Sequence, residues 1–204
     1  MNMPFQIIKV GGSLIGTARE LVAALCNRPG LDALIVPGGG PMADLIRDLT
    51  IRHQISDEAC HWMAVLAMEQ YAHFLADGTG AVMTTEIERP YGIAVLRPYQ
   101  VLQKDDRGID HNWDYTSDSI AAVVATRLNM DFIKATDVDG IILDGRLVEE
   151  TSALALIGVE TCVDQGTLRI LQRSKRCCRV LNGSCPEAFI SALERGVGGT
   201  LIKG

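Results

Sequence analysis

The 204-residue sequence has no apolar run long enough to cross a membrane. Its longest run, Trp62–Met68, has seven residues, whereas a transmembrane helix needs about 18. The first ten residues lack the charged-then-apolar layout of a secretory signal. Excess positive charge is also missing, since 19 basic residues stand against 25 acidic ones, for a net charge of −6. We therefore expect a soluble, cytoplasmic protein that binds neither nucleic acid nor membranes.

Metal-binding and redox cysteine motifs are absent as well. The six cysteines form no C-x-x-C pair and have no histidines at ligand spacing, which predicts reduced and mostly buried thiols. Aromatic residues make up only 5% of the chain, whereas its 20 glycines suit a fold with several tight turns. Because 48% of the residues are hydrophobic, the chain can bury a full core. Its length fits a single domain over residues 1–204.

Strand-like and helix-like segments alternate along the sequence. Apolar runs predict strands at 5–10, 33–36, 92–96 and 132–135, and helical periodicity predicts helices between them, the longest over 56–75. Helices between successive strands imply parallel strands with right-handed crossovers. We therefore predict an α/β fold, a three-layer αβα sandwich with a mostly parallel central sheet. Ligands of such sheets bind at the carboxyl ends of the strands.

Two glycine-rich turns follow the first two predicted strands, although both common nucleotide fingerprints, G-x-G-x-x-G and G-x-x-x-x-G-K-[ST], are absent. The first turn contains Gly11, Gly12 and Ser13; the second contains Gly38, Gly39 and Gly40, with Arg47 two turns into the next helix. Glycines let backbone amides approach an anion, and a helix N-terminus follows each turn. A single such turn can simply satisfy backbone geometry. Two of them favour a phosphate-bearing donor and a phosphate-bearing acceptor.

Lys9 places a full charge near the end of an otherwise apolar strand. A buried ammonium is costly without a partner, so Lys9 requires an acidic neighbour or a bound anion. Exposure at a sheet edge is the alternative explanation.

Two further segments contain polar residues at positions that suit ligand binding. In His111–Ser119, Thr116 or Ser117 can cap a helix with Asp118 in its first turn, and Trp113 either stacks on a ligand ring or anchors the loop. Capping alone explains this segment, but the long polar approach over 97–110 favours a functional loop. Thr136–Ile141 sets two acids beside a glycine after a strand, an arrangement that suits ribose hydroxyls or a plain Asp-Gly turn.

A basic stretch without acids extends from Asp164 to Glu187 in this otherwise acidic chain, which suggests a local anion site. If the segment is helical, Lys175 shares a face with Leu168 and Leu171 and points toward the protein body. We therefore expect Lys175, in preference to Arg173 or Arg176, to face the site.

Five of these motifs together resemble the amino acid kinase family. They are K-x-G-G-S at 9–13, P-G-G-G at 37–40, S-D-S at 117–119, T-D-V-D-G-I at 136–141 and G-V-G-G-T-L-I at 196–202. They occur in the family's order over almost the whole chain. The segments H-x-W-x-x-T-S-D-S at 111–119 and N-G-x-x-P-E at 182–187 are most similar to a branch that acts in methanofuran biosynthesis. That branch converts a small phosphate monoester, [5-(aminomethyl)furan-3-yl]methyl phosphate, into its diphosphate.

The resemblance implies an ATP-dependent kinase that uses Mg²⁺ and assembles as a homo-oligomer. It implies that Lys9 and Lys175 neutralise the transferring phosphoryl group and that Asp118 orients them. The nucleotide would bind Gly11, Gly12, Ser13, Thr136, Asp137, Asp139, Gly140 and Ile141. The acceptor would bind Gly38, Gly39, Gly40, Arg47, His111, Trp113, Ser117, Asn182 and Gly183. Two alternatives are a kinase for another small phosphate or carboxylate, and a non-catalytic nucleotide- or oxyanion-binding protein with a storage or sensing role.

Overall fold

One eight-stranded sheet runs through the part of the chain that the computed structural model describes, residues 4–204. The strands are β1 (Gln6–Val10), β2 (Ala33–Pro37), β3 (Val82–Thr84), β4 (Ile93–Leu96), β5 (Phe132–Thr136), β6 (Ile142–Leu143), β7 (Arg146–Leu147), β8 (Glu150–Ser152), β9 (Cys177–Asn182) and β10 (Thr200–Lys203). Their order in the sheet is β3-β4-β2-β1-β5-β9-β10-β8, while β6 and β7 form a separate hairpin. Within the eight-stranded sheet of residues 4–204, every neighbouring pair of strands is parallel except β9–β10, which is antiparallel. The predicted mostly parallel sheet is confirmed.

Helices cover both faces of this sheet. They are α1 (Ala18–Cys26), α2 (Gly40–His53), α3 (Asp57–Ala76), α4 (Pro98–Lys104), α5 (Ser117–Arg127), α6 (Ala153–Leu156), α7 (Gln165–Ser174) and α8 (Pro186–Arg195). Alternate strand residues point to opposite faces. Ile7 accordingly packs in a core with α5 and α7, and Ile8 packs in a second core with α1 and α8. The three-layer αβα prediction is therefore confirmed. Within residues 4–204, no helix has the length and apolarity that a membrane span requires.

The polar segment 97–110, expected to be a loop, contains a helix. Pro98 begins α4, where proline's fixed φ suits the first helical turn. Val101 and Leu102 anchor this helix in the core. A seven-residue helix has too few residues for a clear periodic pattern, which explains why the sequence analysis missed it.

The register of the two central strands positions the site. Strands β1 and β5 pair in parallel with Lys9 opposite Lys134. Residues two apart on a strand point to the same face, so Lys9 shares the face of Ile7 and Lys134 shares the face of Phe132. Ile7 and Phe132 both pack in the core that contains α5. Both lysines therefore emerge on the face that α5 covers, next to Asp118 in its first turn.

Gly166 allows α7 to pack closely against α5. A Cβ atom on Gly166 would lie 2.4 Å from Ser119 Oγ and 2.5 Å from the Tyr115 ring. We expect Gly166→Ala to lower the free energy of unfolding by about 1–3 kcal/mol through overpacking, despite alanine's better helix propensity. Gly16→Ala is the matched control, because a Cβ there meets no atom within 4 Å. Urea denaturation compares the two variants, and equal stabilities would contradict the packing argument.

Candidate active site

A buried carboxylate bridges two buried ammonium groups at the centre of the molecule. Asp118 Oδ1 lies 2.8 Å from Lys9 Nζ, and Asp118 Oδ2 lies 2.5 Å from Lys134 Nζ. The three side chains are only 5–7% exposed. Lys134 also donates a hydrogen bond to the carbonyl oxygen of Cys162. Lys9 is thus buried on a central strand, and the sheet-edge explanation of its charge is wrong.

The cluster carries one net positive charge. Burial alone would raise the pKa of Asp118, but Lys134 and Lys9 outweigh burial and hold that pKa at about 2. Burial and the neighbouring charge of Lys134 lower the pKa of Lys9 despite its pairing with Asp118, whereas the pairing with Asp118 raises the pKa of Lys134 despite burial. Lys9 is therefore the ammonium whose charge is least compensated. A phosphate anion beside it would supply the missing countercharge.

Asp164 fixes the helix turn that presents Asp118. Its carboxylate accepts five hydrogen bonds: from the amide and hydroxyl of Thr116, the amide and hydroxyl of Ser119, and the amide of Thr167. One side chain therefore caps α5 and α7 together. Thr116 occupies the N-cap position of α5, as predicted, but its own side chain makes no capping bond.

The two glycine turns meet directly above this cluster. A Cβ atom on Gly12 would lie 2.5 Å from Gly40 Cα, so only glycine fits this contact. The Tyr71 hydroxyl of α3 donates to the Gly11 carbonyl over 3.2 Å and secures the first turn. Backbone amides of both turns and the charge of Lys9 therefore surround a common region at the carboxyl ends of β1 and β2.

A cavity of about 460 Å³ opens beside the glycine turns. One wall is α2, which contributes Arg47, and a second is the face of α3 from Asp57 to Met68. The third wall is the segment 112–117 before α5, including Trp113. The Arg47 guanidinium lies 4.9 Å from the centre of the Trp113 ring. Gly12, Ser13, Gly39, Gly40, Arg47, Trp113 and Ser117, all proposed from the sequence, line this one cavity.

Oxygen-bearing side chains gather where the first turn meets the carboxyl end of β5. Ser13 Oγ lies 3.4 Å from Thr136 Oγ1, which donates to Asp137 over 3.2 Å. The pKa of Asp137 is lowered, chiefly by a hydrogen bond from Ser13. Asn182 donates to Asp139 over 2.8 Å, and the Gly183 amide donates to the Thr136 carbonyl. Asn182 and Gly183, expected at the acceptor, therefore lie with the turn expected to bind the nucleotide.

Lys175 does not join the charged cluster. Helix α7 ends at Ser174, and Lys175 adopts a left-handed φ of 57° and is exposed. The expectation that Lys175 faces the site is wrong, because it assumed that the helical face continued to residue 175. Lys134 occupies the second position beside Asp118, and the sequence analysis overlooked it. The missed signal was a lysine within the apolar strand F-I-K-A-T, the same signal that identified Lys9.

His111 lies outside the cavity lining. It stacks on His61, with ring centres 3.7 Å apart and planes 7° from parallel. His61, Asp106 and His111 each offer a ligand atom within 4.8 Å of the others. Imidazole lone pairs lie in the ring plane, so two stacked rings hold their lone pairs in separate, nearly parallel planes. The cluster as it stands does not converge on one metal ion, and we assign none to it.

Comparison with known proteins identifies the family. The chain is 34% identical to [5-(aminomethyl)furan-3-yl]methyl phosphate kinase from Methanocaldococcus jannaschii, over 203 positions and 93% of each sequence. The chain belongs to the amino acid kinase family. No protein-family model matches this kinase sequence.

Solved structures show the same fold. Uridylate kinase from Archaeoglobus fulgidus superposes with a TM-score of 0.70 and 22% identity, over 98% of this chain and all of that one. UMP kinase from Bacillus anthracis superposes with a TM-score of 0.66 and 17% identity, over 98% of this chain and 95% of that one. Aspartate kinase from Synechocystis superposes with a TM-score of 0.67 and 15% identity, over 98% of this chain and 40% of the aspartate kinase chain. This member of the amino acid kinase family is a phosphotransferase.

Asp118→Asn leaves two buried ammonium groups without a countercharge, so we expect it to lower the free energy of unfolding at pH 7 by about 3–5 kcal/mol. The pKa of Asp118 in the folded protein, about 2, is below its unfolded value of about 3.9. Its stabilisation is therefore complete above pH 4 and is lost as the pH falls toward 2. This loss amounts to about 2 kcal/mol. Urea denaturation of wild type and variant between pH 2 and pH 7 measures this loss. If the free energy of unfolding changed with pH in the same way for both proteins, the result would argue against the bridge.

Proposed function

We propose that this phosphotransferase moves the γ-phosphoryl group of ATP onto [5-(aminomethyl)furan-3-yl]methyl phosphate, giving its diphosphate and ADP. The main structural support for this proposal is the Lys9–Asp118–Lys134 cluster beneath two glycine turns that contact each other. The relative that is 34% identical over 93% of the chain, and whose name contains this acceptor, supports the choice of substrate.

The cluster and the glycine turns suit the demands of phosphoryl transfer. An acceptor phosphate oxygen attacks the γ-phosphorus, a new P–O bond forms, and the bond to the β-phosphate oxygen breaks with its electrons on ADP. The attacking oxygen carries no proton at neutral pH, so no general base is needed. The protein must align the reactants and stabilise charge on the transferring group. Lys9 supplies that charge, Asp118 holds Lys9 in place, and Lys134 holds Asp118.

The oxygen-bearing side chains beside the first turn suit the binding of the phosphoryl donor, ATP with its Mg²⁺. Ser13, Thr136 and Asp137 offer hydroxyl and carboxylate oxygens, the ligand type that Mg²⁺ prefers. These residues would face Mg²⁺ carried in with ATP, and the bound ion would neutralise phosphate charge. Asp139, Gly140 and Ile141 follow on the same turn, where we place the nucleoside.

The cavity fits an acceptor with a phosphate at one end and an amine at the other. Gly39 and Gly40 line the cavity close to the first turn, where their backbone amides suit the acceptor phosphate. Asp44 and Asp57 add two carboxylates to the lining, which suit an ammonium group, and the Trp113 face suits a flat ring. A nucleoside monophosphate offers no primary ammonium to these acids.

We expect the purified protein to release ADP with the furan phosphate and to form a diphosphate that ³¹P NMR detects. A panel of other small phosphates and carboxylates, with UMP among them, serves as the comparison. Preference for another panel member would reassign the acceptor. ATP binding without ADP release across the panel would support a storage or sensing protein. Assembly as a homo-oligomer and a cytoplasmic location stay predictions.

Methionine variants separate the three lysines, because methionine keeps the side-chain length without the charge. We expect Lys9→Met to lower kcat by at least about 100-fold, the usual cost of losing a charge that stabilises a transition state. We expect Lys134→Met to lower kcat as well by freeing Asp118. Lys175→Met is the matched control, because Lys175 is exposed, and it should keep wild-type kcat. Circular dichroism confirms folding. Wild-type turnover by Lys9→Met would remove Lys9 from the mechanism.

A further inference from the structure

His111 occupies a site built for a charged imidazole. Its Nδ1 lies 2.5 Å from a carboxylate oxygen of Glu58 on α3, and its Nε2 lies 3.1 Å from a carboxylate oxygen of Asp106. Both ring nitrogens donate only when the imidazole is protonated. The two carboxylates raise the pKa of His111 above 6.5, although partial burial opposes them.

The ring of His61 supports the same site from α3. It stacks on His111, and the edge-on indole of Trp62 flanks both rings. Burial and the neighbouring positive His111 lower the pKa of His61 to about 4, so His61 is neutral at pH 7. A neutral ring can stack on a cation without charge repulsion. The titratable groups that face His111 are thus Glu58 and His61 from α3 and Asp106 from the chain before it.

His111 belongs to a segment that forms one wall of the cavity. We name residues 105–116 the acceptor loop, and its residues Asn112, Trp113, Tyr115 and Thr116 line the cavity. Its far end is fixed on the α7 side, where Arg169 contacts Asp114 over 2.9 Å and Asp164 binds Thr116. The loop meets α3 where His111 contacts Glu58. A second cavity wall belongs to α3, so this contact sets how the two walls lie relative to each other.

We propose that His111 is a positioning residue, which in its protonated form ties the acceptor loop to α3 and thereby shapes the acceptor cavity. A neutral imidazole donates a single hydrogen bond, so deprotonation releases either Glu58 or Asp106 and leaves two carboxylates close together without a cation between them. The reacting groups at Lys9 and Asp118 lie on other elements. Acceptor binding should therefore weaken while the chemical step persists.

Steady-state kinetics of the wild type and two His111 variants over pH 6–10 test this proposal, which rests on the proposed function for its acceptor. We expect His111→Gln to raise the KM for the acceptor about five- to tenfold at pH 7, with kcat and the KM for ATP within about twofold of wild type. The wild-type KM should rise toward the variant's value above the pKa of His111. His111→Arg should keep a low KM at every pH, because guanidinium stays charged and has a planar fork of donors. An unchanged KM in His111→Gln, or an equal loss in both variants, would overturn the proposal.

Hydrogen exchange gives a readout that needs no substrate. The reference is the wild type at a pH where His111 is protonated, with all rates corrected for intrinsic exchange. Amides of residues 105–116 should exchange faster than this reference in the wild type above the pKa of His111, and in His111→Gln at every pH. In His111→Arg they should exchange at the reference rate. Asp48→Asn on α2 is the control for a lost exposed charge outside the cavity, and it should change neither readout. Uniform exchange across the variants would overturn the proposal. Failure of the wild type to phosphorylate the furan phosphate would overturn the proposed function alone.

Discussion

The structure depends on one interaction, the carboxylate of Asp118 between the ammonium groups of Lys9 and Lys134. Two buried ammonium groups on neighbouring strands would repel each other without it, and a buried charge is tolerated only when it is paired. The pairing requires that the first turn of α5 lie directly over β1 and β5. Asp164 secures that placement by capping α5 and α7 together. The charged cluster is thus a condition of the fold as well as the centre of the proposed chemistry.

In the proposed function, the surroundings of this cluster divide into a donor side and an acceptor side. The touching glycine turns lie between them, because Gly12 and Gly40 meet at a distance that no side chain permits. Hydroxyl and carboxylate oxygens lie on the donor side, whereas the acceptor side is a cavity with aromatic, cationic and acidic groups on its walls. An in-line transfer needs two phosphates that face each other across a positive group. In the proposed mechanism Lys9, whose charge is incompletely compensated, is that group.

Features set by neighbouring residues could be predicted from the sequence, whereas contacts between residues far apart in the chain could not. The sandwich architecture followed from alternating periodicities, and Lys9 followed from one charge in an apolar strand. Lys134 carried the same signal and was overlooked. Lys175 was placed wrongly because a helical face has meaning only up to the residue where the helix ends, and nothing local marked Ser174 as that residue. The role of Asp164 has no local signal, since it caps a helix that begins far earlier in the chain. The stack of His61 on His111 joins segments that only the fold brings together.

The proposed mechanism requires that the transferring phosphoryl group lie against Lys9 while Asp118 holds that lysine. A crystal structure with a non-hydrolysable ATP analogue and the furan phosphate tests it most directly. We expect a γ-phosphate oxygen at hydrogen-bond distance, about 3 Å, from Lys9 Nζ. We also expect that Asp118 still bridges Lys9 and Lys134 and that the acceptor phosphate lies at Gly39 and Gly40. A γ-phosphate bound away from Lys9, with no phosphate oxygen in contact with its ammonium group, would contradict it.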